Sequence, residues 1–222
     1  MTEPRRTNVY VDGFNLYYGS LKGTKYKWLD LLTLARSILP NERINRIRYF
    51  SAQVSGVTDP GAPARQEAYL RALRTLPGVS VHLGTFLSND KSMPLAPAPA
   101  VGAQPGFVYR VAGGKRFAWV TKTEEKGSDV NLATYLLLDA FDHDFDLAVV
   151  ISNDSDLAEP IRMVRERFAA IGVVNPHAKN NKRLTDAASW HIQLYSRKIA
   201  KAQFPEALAD AKGTIAKPPD WG

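Results

Sequence analysis

Apolar and polar residues along this chain fall into blocks that alternate between strand and helix. The clearest block is Leu147–Ile151, L-A-V-V-I, bounded by Asp146 and Ser152, the pattern of a parallel strand covered on both faces. Residues 8–11, N-V-Y-V, give a shorter strand ending on Asp12-Gly13-Phe14-Asn15. Residues 14–21 are helix-compatible, and residues 28–39 carry apolar side chains at helical spacing until Pro40 stops them. Residues 44–54 alternate as a strand, 60–76 predict a helix closed by Pro77-Gly78, and 79–87 predict a third strand. From Ser88 to Pro105 the periodicity is lost in a proline- and alanine-rich stretch expected to be a surface loop. Residues 107–110 and 116–121, joined through Gly113-Gly114, read as a hairpin.

Residues 128–141 predict a helix with Ser128 as N-cap and Val130, Ala133, Leu137, Ala140 and Phe141 facing the core. After the central strand a helix is expected over about 156–170, its regular part delayed by Pro160. Strands at 172–175 and 190–194 flank a short helix at 182–188. Strands alternating with helices predict a mainly parallel sheet wrapped by helices. Residues beyond 197 read as a basic helical extension with a frayed tail. The expected organisation is one domain over 1–197, with a loop-and-hairpin insertion at about 88–122, and an extension over 198–222.

A chain of 222 residues is long enough to bury one substantial core. Its formal charge of +7 favours a polyanionic partner. The absence of cysteine excludes disulfides and thiolate metal sites, leaving oxygen ligands and four histidines. Residues 1–8 have no signal-peptide core, and no apolar run approaches the roughly 18 residues of a membrane span. A cytoplasmic protein without membrane attachment is therefore expected.

The candidate chemistry lies where strands end. Asp154 and Asp156 follow the central strand, Asp12 closes the first, and Asp129 opens the helix after Lys126-Gly127-Ser128. Ligands of open α/β sheets bind beyond the carboxyl ends of the strands. Each acid also has a structural explanation: Asp154 or Asp156 as helix cap, Asp156 with Glu159 as a capping box, Asp12-Gly13 as a turn, Asp129 as a first-turn acid. As a set, close carboxylates repel one another unless a cation neutralises them, and Mg²⁺ or Mn²⁺ suits an all-oxygen set.

Three segments, V-D-G-F-N-L (residues 11–16), K-G-S-D-V-N-L (126–132) and I-S-N-D-S-D-L-A-E-P-I (151–161), resemble in order and spacing the motifs of the NYN domain family. The resemblance spans about residues 8–194. It implies a PIN-like, flavodoxin-like three-layer α/β fold and a divalent-metal-dependent ribonuclease. On the matching positions it implies that Asp12, Asp129, Asp154 and Asp156 form the metal centre and catalytic set. Asn15 would orient Asp12 or touch a phosphate, and Ser152 would bond a neighbouring carboxylate or a metal-bound water. Asn153 stands where the family often has glycine, and Ser189 where relatives often place an aspartate, with Asp186 a weak substitute.

A carboxylate-held Mg²⁺ or Mn²⁺ suits phosphodiester hydrolysis by activated water. The candidate residues for holding nucleic acid are Lys22, with Lys25 and Lys27; Arg110, Lys115 and Arg116 of the hairpin; and Lys179, Lys182 and Arg183. Tyr17, Tyr18, Phe107 and Tyr109 are candidates for stacking on unpaired bases, against the commoner role of aromatics in a core. The expected partner is RNA, single-stranded or structured. The competing readings are a non-catalytic RNA- or protein-binding module on the same fold, and a phosphatase with an aspartyl nucleophile. The last is disfavoured because Phe14 occupies the place of the second acid.

Overall fold

The computed structural model describes residues 3–57, 59–94, 109–110 and 116–221, with the side chains of residues 109, 110 and 116 outside the description. Six parallel strands form the body of the sheet: β1 (Arg6–Asp12), β2 (Arg43–Ala52), β3 (Val79–Pro94), β6 (Leu147–Ile151), β7 (Ala170–Asn175) and β8 (Trp190–Gln193). Two more, β4 (Tyr109–Arg110) and β5 (Arg116–Lys126), extend the β3 side antiparallel, giving the order β4-β5-β3-β2-β1-β6-β7-β8. β1 is therefore central, and the order reverses between β1 and β6, the switch point at which such sheets open a crevice.

The helices are α1 (Gly13–Leu16), widening into a π turn at Tyr17–Leu21, α2 (Leu31–Ile38), α3 (Ala62–Arg74), α4 (Ser128–Phe141), α5 (Ala158–Arg167), α6 (Lys182–Ala187) and α7 (Ser196–Lys201). Strand alternation sorts the core into two layers. Val9 and Val11 face a cluster with Trp28, Leu34 and Leu73, whereas Tyr10 faces one with Leu132, Leu136 and Ile161. All five residues of β6 are buried, as its uninterrupted apolar run requires. α2 starts where Asp30 accepts from the N–H groups of Leu32 (2.9 Å) and Thr33 (3.0 Å). Pro160 sits in the first turn of α5, where its missing N–H is harmless, and a 3₁₀ turn at Ser155–Leu157 leads in.

Four expectations need correction. β3 does not end near residue 87: it runs to Pro94, and with β5 forms an antiparallel arm paired from Thr85–Lys126 to Pro94–Phe117. The outer half of the arm has no buried face, so nothing in its polar sequence S-N-D-K-S-M-P alternates. The rest of the loop, residues 95–105, and the Gly113-Gly114 turn lie outside the described residues. Second, α4 buries Leu132, Leu136, Asp139 and Ala140, while Val130 and Phe141 are exposed. Apolar residues surround this helix, and periodicity could not choose the face. Third, its N-cap is Gly127 (φ 98°), and Ser128 is the first helical residue. Fourth, the tail is not frayed. After α7, β9 (Ala207–Asp210) and β10 (Gly213–Ala216) form a hairpin, and Phe204 and Ile215 join the core. Among the described residues no helix is long and apolar enough to cross a membrane.

Candidate metal centre

Asp12 leaves the carboxyl end of β1 buried, with its carboxylate fixed on both sides. The Asn15 N–H donates to Oδ1 (2.9 Å) and the Ser152 hydroxyl donates to Oδ2 (2.9 Å). Gly13 follows because a Cβ there would meet the Tyr49 hydroxyl at 2.5 Å and the Phe50 carbonyl at 2.7 Å. Ser152 in turn accepts from the Asp154 N–H (3.0 Å), so one hydroxyl links the ends of β1 and β6. Asp154 caps the 3₁₀ turn through Oδ1, which accepts from the Asp156 N–H at 3.0 Å. Capping, weighed for Asp154, is thus present there, and Asp12, weighed as a turn residue, also caps a helix; in each, capping occupies one carboxylate oxygen. The Asp156–Glu159 capping box is absent, because Glu159 pairs with Arg162.

Asp129 arrives by a different route. β5 returns along the arm to Lys126, beside the point where β3 leaves β2, so α4 begins at the carboxyl edge with Asp129 in its first turn. Gly84 permits this approach: a Cβ there would lie 2.4 Å from the Lys126 carbonyl. One pocket of about 260 Å³ is lined by Asp12, Asp129 and Asp154 together with Glu125, Asn15, Ser128 and the rings of Phe14, Tyr18 and Phe86. Asp156 is exposed and outside this lining, though its charge reaches Asp129.

Glu125 was not singled out from sequence. Its Oε1 accepts from the Ser128 N–H at 2.9 Å, and its place three residues before the helix start is the signal that could have found it.

The pocket is strongly electronegative. Burial pushes the Asp12 carboxyl above its ordinary range, against the opposing hydrogen bonds from Asn15 and Ser152. Burial, with the charges of Asp12, Asp154, Glu125 and Asp156, pushes Asp129 up to about 7. The Asp129 displacement reflects burial first and then four neighbouring acids, and the all-oxygen set of Asp12, Asp129, Asp154 and Glu125 is of the donor type a hard divalent ion takes. Among the described residues no three carboxylate or imidazole groups stand close enough to hold an ion as they are placed.

Of the supporting residues, Ser152 bonds a neighbouring carboxylate, that of Asp12, as expected, and Asn15 holds Asp12 through its backbone N–H. The Asn15 side chain is engaged elsewhere: its Oδ1 accepts from the Asn153 N–H (2.9 Å). Asn153 clasps the next loop, donating to the Lys179 carbonyl (3.0 Å) and accepting from the Asn181 N–H (2.9 Å). That clasp holds the segment with Lys179, Lys182 and Arg183, all exposed, against the loop bearing Asp154. Lys22 lies with its ammonium 4.7 Å from the ring centre of Tyr18, on the pocket wall. Ser189 and Asp186 precede β8, at the opposite edge of the sheet, so neither adds an acid to the pocket. Lys115 and Phe107 lie outside the described residues, as do the side chains of Arg110, Arg116 and Tyr109.

The NYN domain model matches residues 100–195, which contain Asp129, Asp154 and Asp156. Over nearly the whole chain, 6-hydroxy-3-succinoylpyridine 3-monooxygenase HspA of Pseudomonas putida (strain DSM 28022 / S16) is 33% identical across 246 residues, 99% of this chain and 76% of that protein. The chain belongs to the NYN domain family. A crystal structure of a Vibrio parahaemolyticus RIMD 2210633 protein of unknown function has the same fold, with a TM-score of 0.51 and 16% identity over 88% of this chain and 96% of that one. The NYN fold is the PIN-like mixed α/β architecture expected from the motifs, and the family is one of PIN-like nucleases.

Proposed function

We propose that this NYN protein is a divalent-metal-dependent nuclease that hydrolyses phosphodiester bonds, with RNA as its substrate. The observation that carries this reading is the convergence of Asp12, Asp129 and Asp154, from three separated segments, on one uncompensated acidic pocket at the sheet's switch point. Asp12, Asp129 and Asp154 would hold Mg²⁺ or Mn²⁺, with Asp156 at the rim. The ion supplies charge neutralisation at the phosphodiester and lowers the pKa of the attacking water. Ser152 and the Asn15 N–H keep both Asp12 oxygens in place. Burial and the neighbouring acids raise the Asp129 carboxyl to about 7 and so favour its protonated form, and a bound cation would favour release of that proton. Lys22 and the Lys179–Arg183 segment are placed to neutralise flanking phosphates, in keeping with the net charge of +7.

The test is cleavage of labelled single-stranded RNA by wild type and Asp154→Asn, with Mn²⁺, with Mg²⁺ and with EDTA. Wild type is expected to cut only with metal, and the variant to lose at least about 100-fold in rate, the scale of a removed electrostatic contact to a developing charge. Equal cutting by both proteins would refute the assignment. Tight RNA binding without cleavage in any metal would favour the binding module instead.

The 33% identity to the pyridine monooxygenase supports a second reading, in which an aromatic substrate lies against the Phe14–Phe86 pair in the same pocket. These rings meet edge to face at 5.6 Å. Oxygen- and reductant-dependent hydroxylation of 6-hydroxy-3-succinoylpyridine by a preparation inert toward RNA would decide for it.

A further inference from the structure

Next to the acidic pocket lies a second cavity, also of about 260 Å³. The two share a wall made by Phe14 and Tyr18. Behind that wall the second cavity is lined by Tyr17, Tyr49, Tyr69 and Trp221. The widened helical turn at Tyr17–Leu21 places two successive tyrosines on it, and such π turns cluster at functional sites.

The walls are fixed by the protein itself. The Tyr69 hydroxyl donates to the Leu29 carbonyl (3.0 Å), and its ring meets Tyr49 and Trp221 at 6.0 Å each. Gln66 donates to the Ala52 carbonyl and accepts from the Val54 N–H, both at 2.8 Å. Arg65 is tied to Asp59 and, at 3.1 Å, to Asp220, which anchors the turn bearing Trp221. The cavity therefore has a preformed aromatic lining, in which Tyr49 and Tyr69 are buried and Tyr17 and Trp221 half-buried, with Lys27 also on it. Its volume falls just below the roughly 300–1,000 Å³ of sites for drug-sized ligands, which suits one planar ring system.

We propose that this cavity is a nucleobase subsite of the nucleic-acid groove. It holds a base next to the phosphate in the acidic pocket, turned out of its stack and bound among Tyr17, Tyr69 and Trp221. The sugar-phosphate between them crosses Phe14 and Tyr18, with Lys22 and Lys27 beside it. Aromatic side chains bind unstacked bases with little sequence preference, and cavities that share Phe14 and Tyr18 lie near enough for a base and its neighbouring phosphate to occupy one each. The proposal rests on the nuclease reading for the position of the phosphate.

The experiment has two arms. In the first, RNA oligomers carrying one abasic position, moved stepwise along the strand, are cleaved by wild type and by Ala62→Trp, which fills the cavity from the half-buried start of α3. The expected result is a loss of about 5- to 100-fold in kcat/KM at one fixed register, on the scale of a single stacked base. Ala62→Trp loses the same factor on intact RNA and shows no further abasic effect. In the second arm, AMP and UMP are titrated in EDTA against wild type, Ala62→Trp and Trp221→Ala, with circular dichroism establishing that each variant is folded. Binding by wild type that both variants weaken supports the subsite even where RNA is not cut, in which case the nuclease reading alone fails. Cleavage without any abasic register, equal in wild type and Ala62→Trp, overturns the subsite and leaves the nuclease intact. Binding of benzoate or nicotinate but of no nucleotide also overturns it.

Discussion

Single residues decide how charge is held at the pocket. Asp129 has its carboxyl raised from an ordinary 3.8 to about 7, so between those values the folded chain binds more protons than the unfolded chain. Stability of the metal-free protein is therefore expected to fall as pH rises from about 4 to about 7. Thermal melts in EDTA across this range measure it, and Asp129→Asn is expected to flatten the slope and to raise the melting temperature at pH 8. Mn²⁺ added at pH 8 should raise the wild-type melting temperature more than at pH 5, where a proton already occupies Asp129. Asn153 makes a second residue-scale prediction. Asn153→Gly removes two side-chain hydrogen bonds to the 179–181 loop, expected to lower stability by about 1–3 kcal/mol and to speed amide exchange at Asn181. The three motif aspartates of the pocket were legible in sequence because each sits at a strand or helix end. Glu125 and Phe86 were not, because the antiparallel pairing of β3 with β5, which sets Phe86 opposite Glu125 at the pocket, joins segments some 40 residues apart and is not visible in either one.

At the scale of elements, the sheet and α4 are joined by a buried ion pair. Arg48 of β2 donates to both oxygens of Asp139 of α4, through Nε and Nη2, each at 2.7 Å, and the Tyr10 hydroxyl donates to the same carboxylate at 2.7 Å. Arg48 also lies 4.5 Å over the ring of Tyr135. Removing one partner leaves a buried charge, so Arg48→Met is expected to lower unfolding free energy by about 3–5 kcal/mol. Arg48→Met combined with Asp139→Leu should recover most of that, measured by urea unfolding. This pair also explains why the core face of α4 could not be read from its apolar residues: a charged residue occupies a core position while Val130 and Phe141 point outward. Strand β6, by contrast, was readable because both its faces are covered and no polar residue interrupts it, and β1 was readable through Val9-Tyr10-Val11 although Thr7 and Asn8 beside them are buried polar residues.

For the whole molecule, the sequence beyond α7 closes one face of the core. Trp28 is fully buried, donates from its indole N–H to the Pro205 carbonyl (2.8 Å), and packs against Phe204 and Trp221 at 5.6 and 6.2 Å. A chain ending at residue 201 would expose this indole. Such a truncation is expected to lose several kcal/mol of stability, with a red-shifted tryptophan emission, because deleting large buried aromatics removes about 3–5 kcal/mol each. A basic, alanine-rich composition gave no periodic warning that this segment folds back, since its buried residues are single anchors rather than a repeating face.

The central position of β1 imposes an order in time. Its neighbours are β2 and β6, so Asp12 is made almost first but gains Ser152 and Asp154 only after some 140 further residues. Synthesis adds about 5–20 residues each second, which leaves the first acid waiting for several seconds on a growing chain. Until β6 emerges there is no pocket, and until the final hairpin emerges the opposite core stays uncovered. If the pocket hydrolyses RNA as proposed, it is inert on the nascent chain until β6 has emerged.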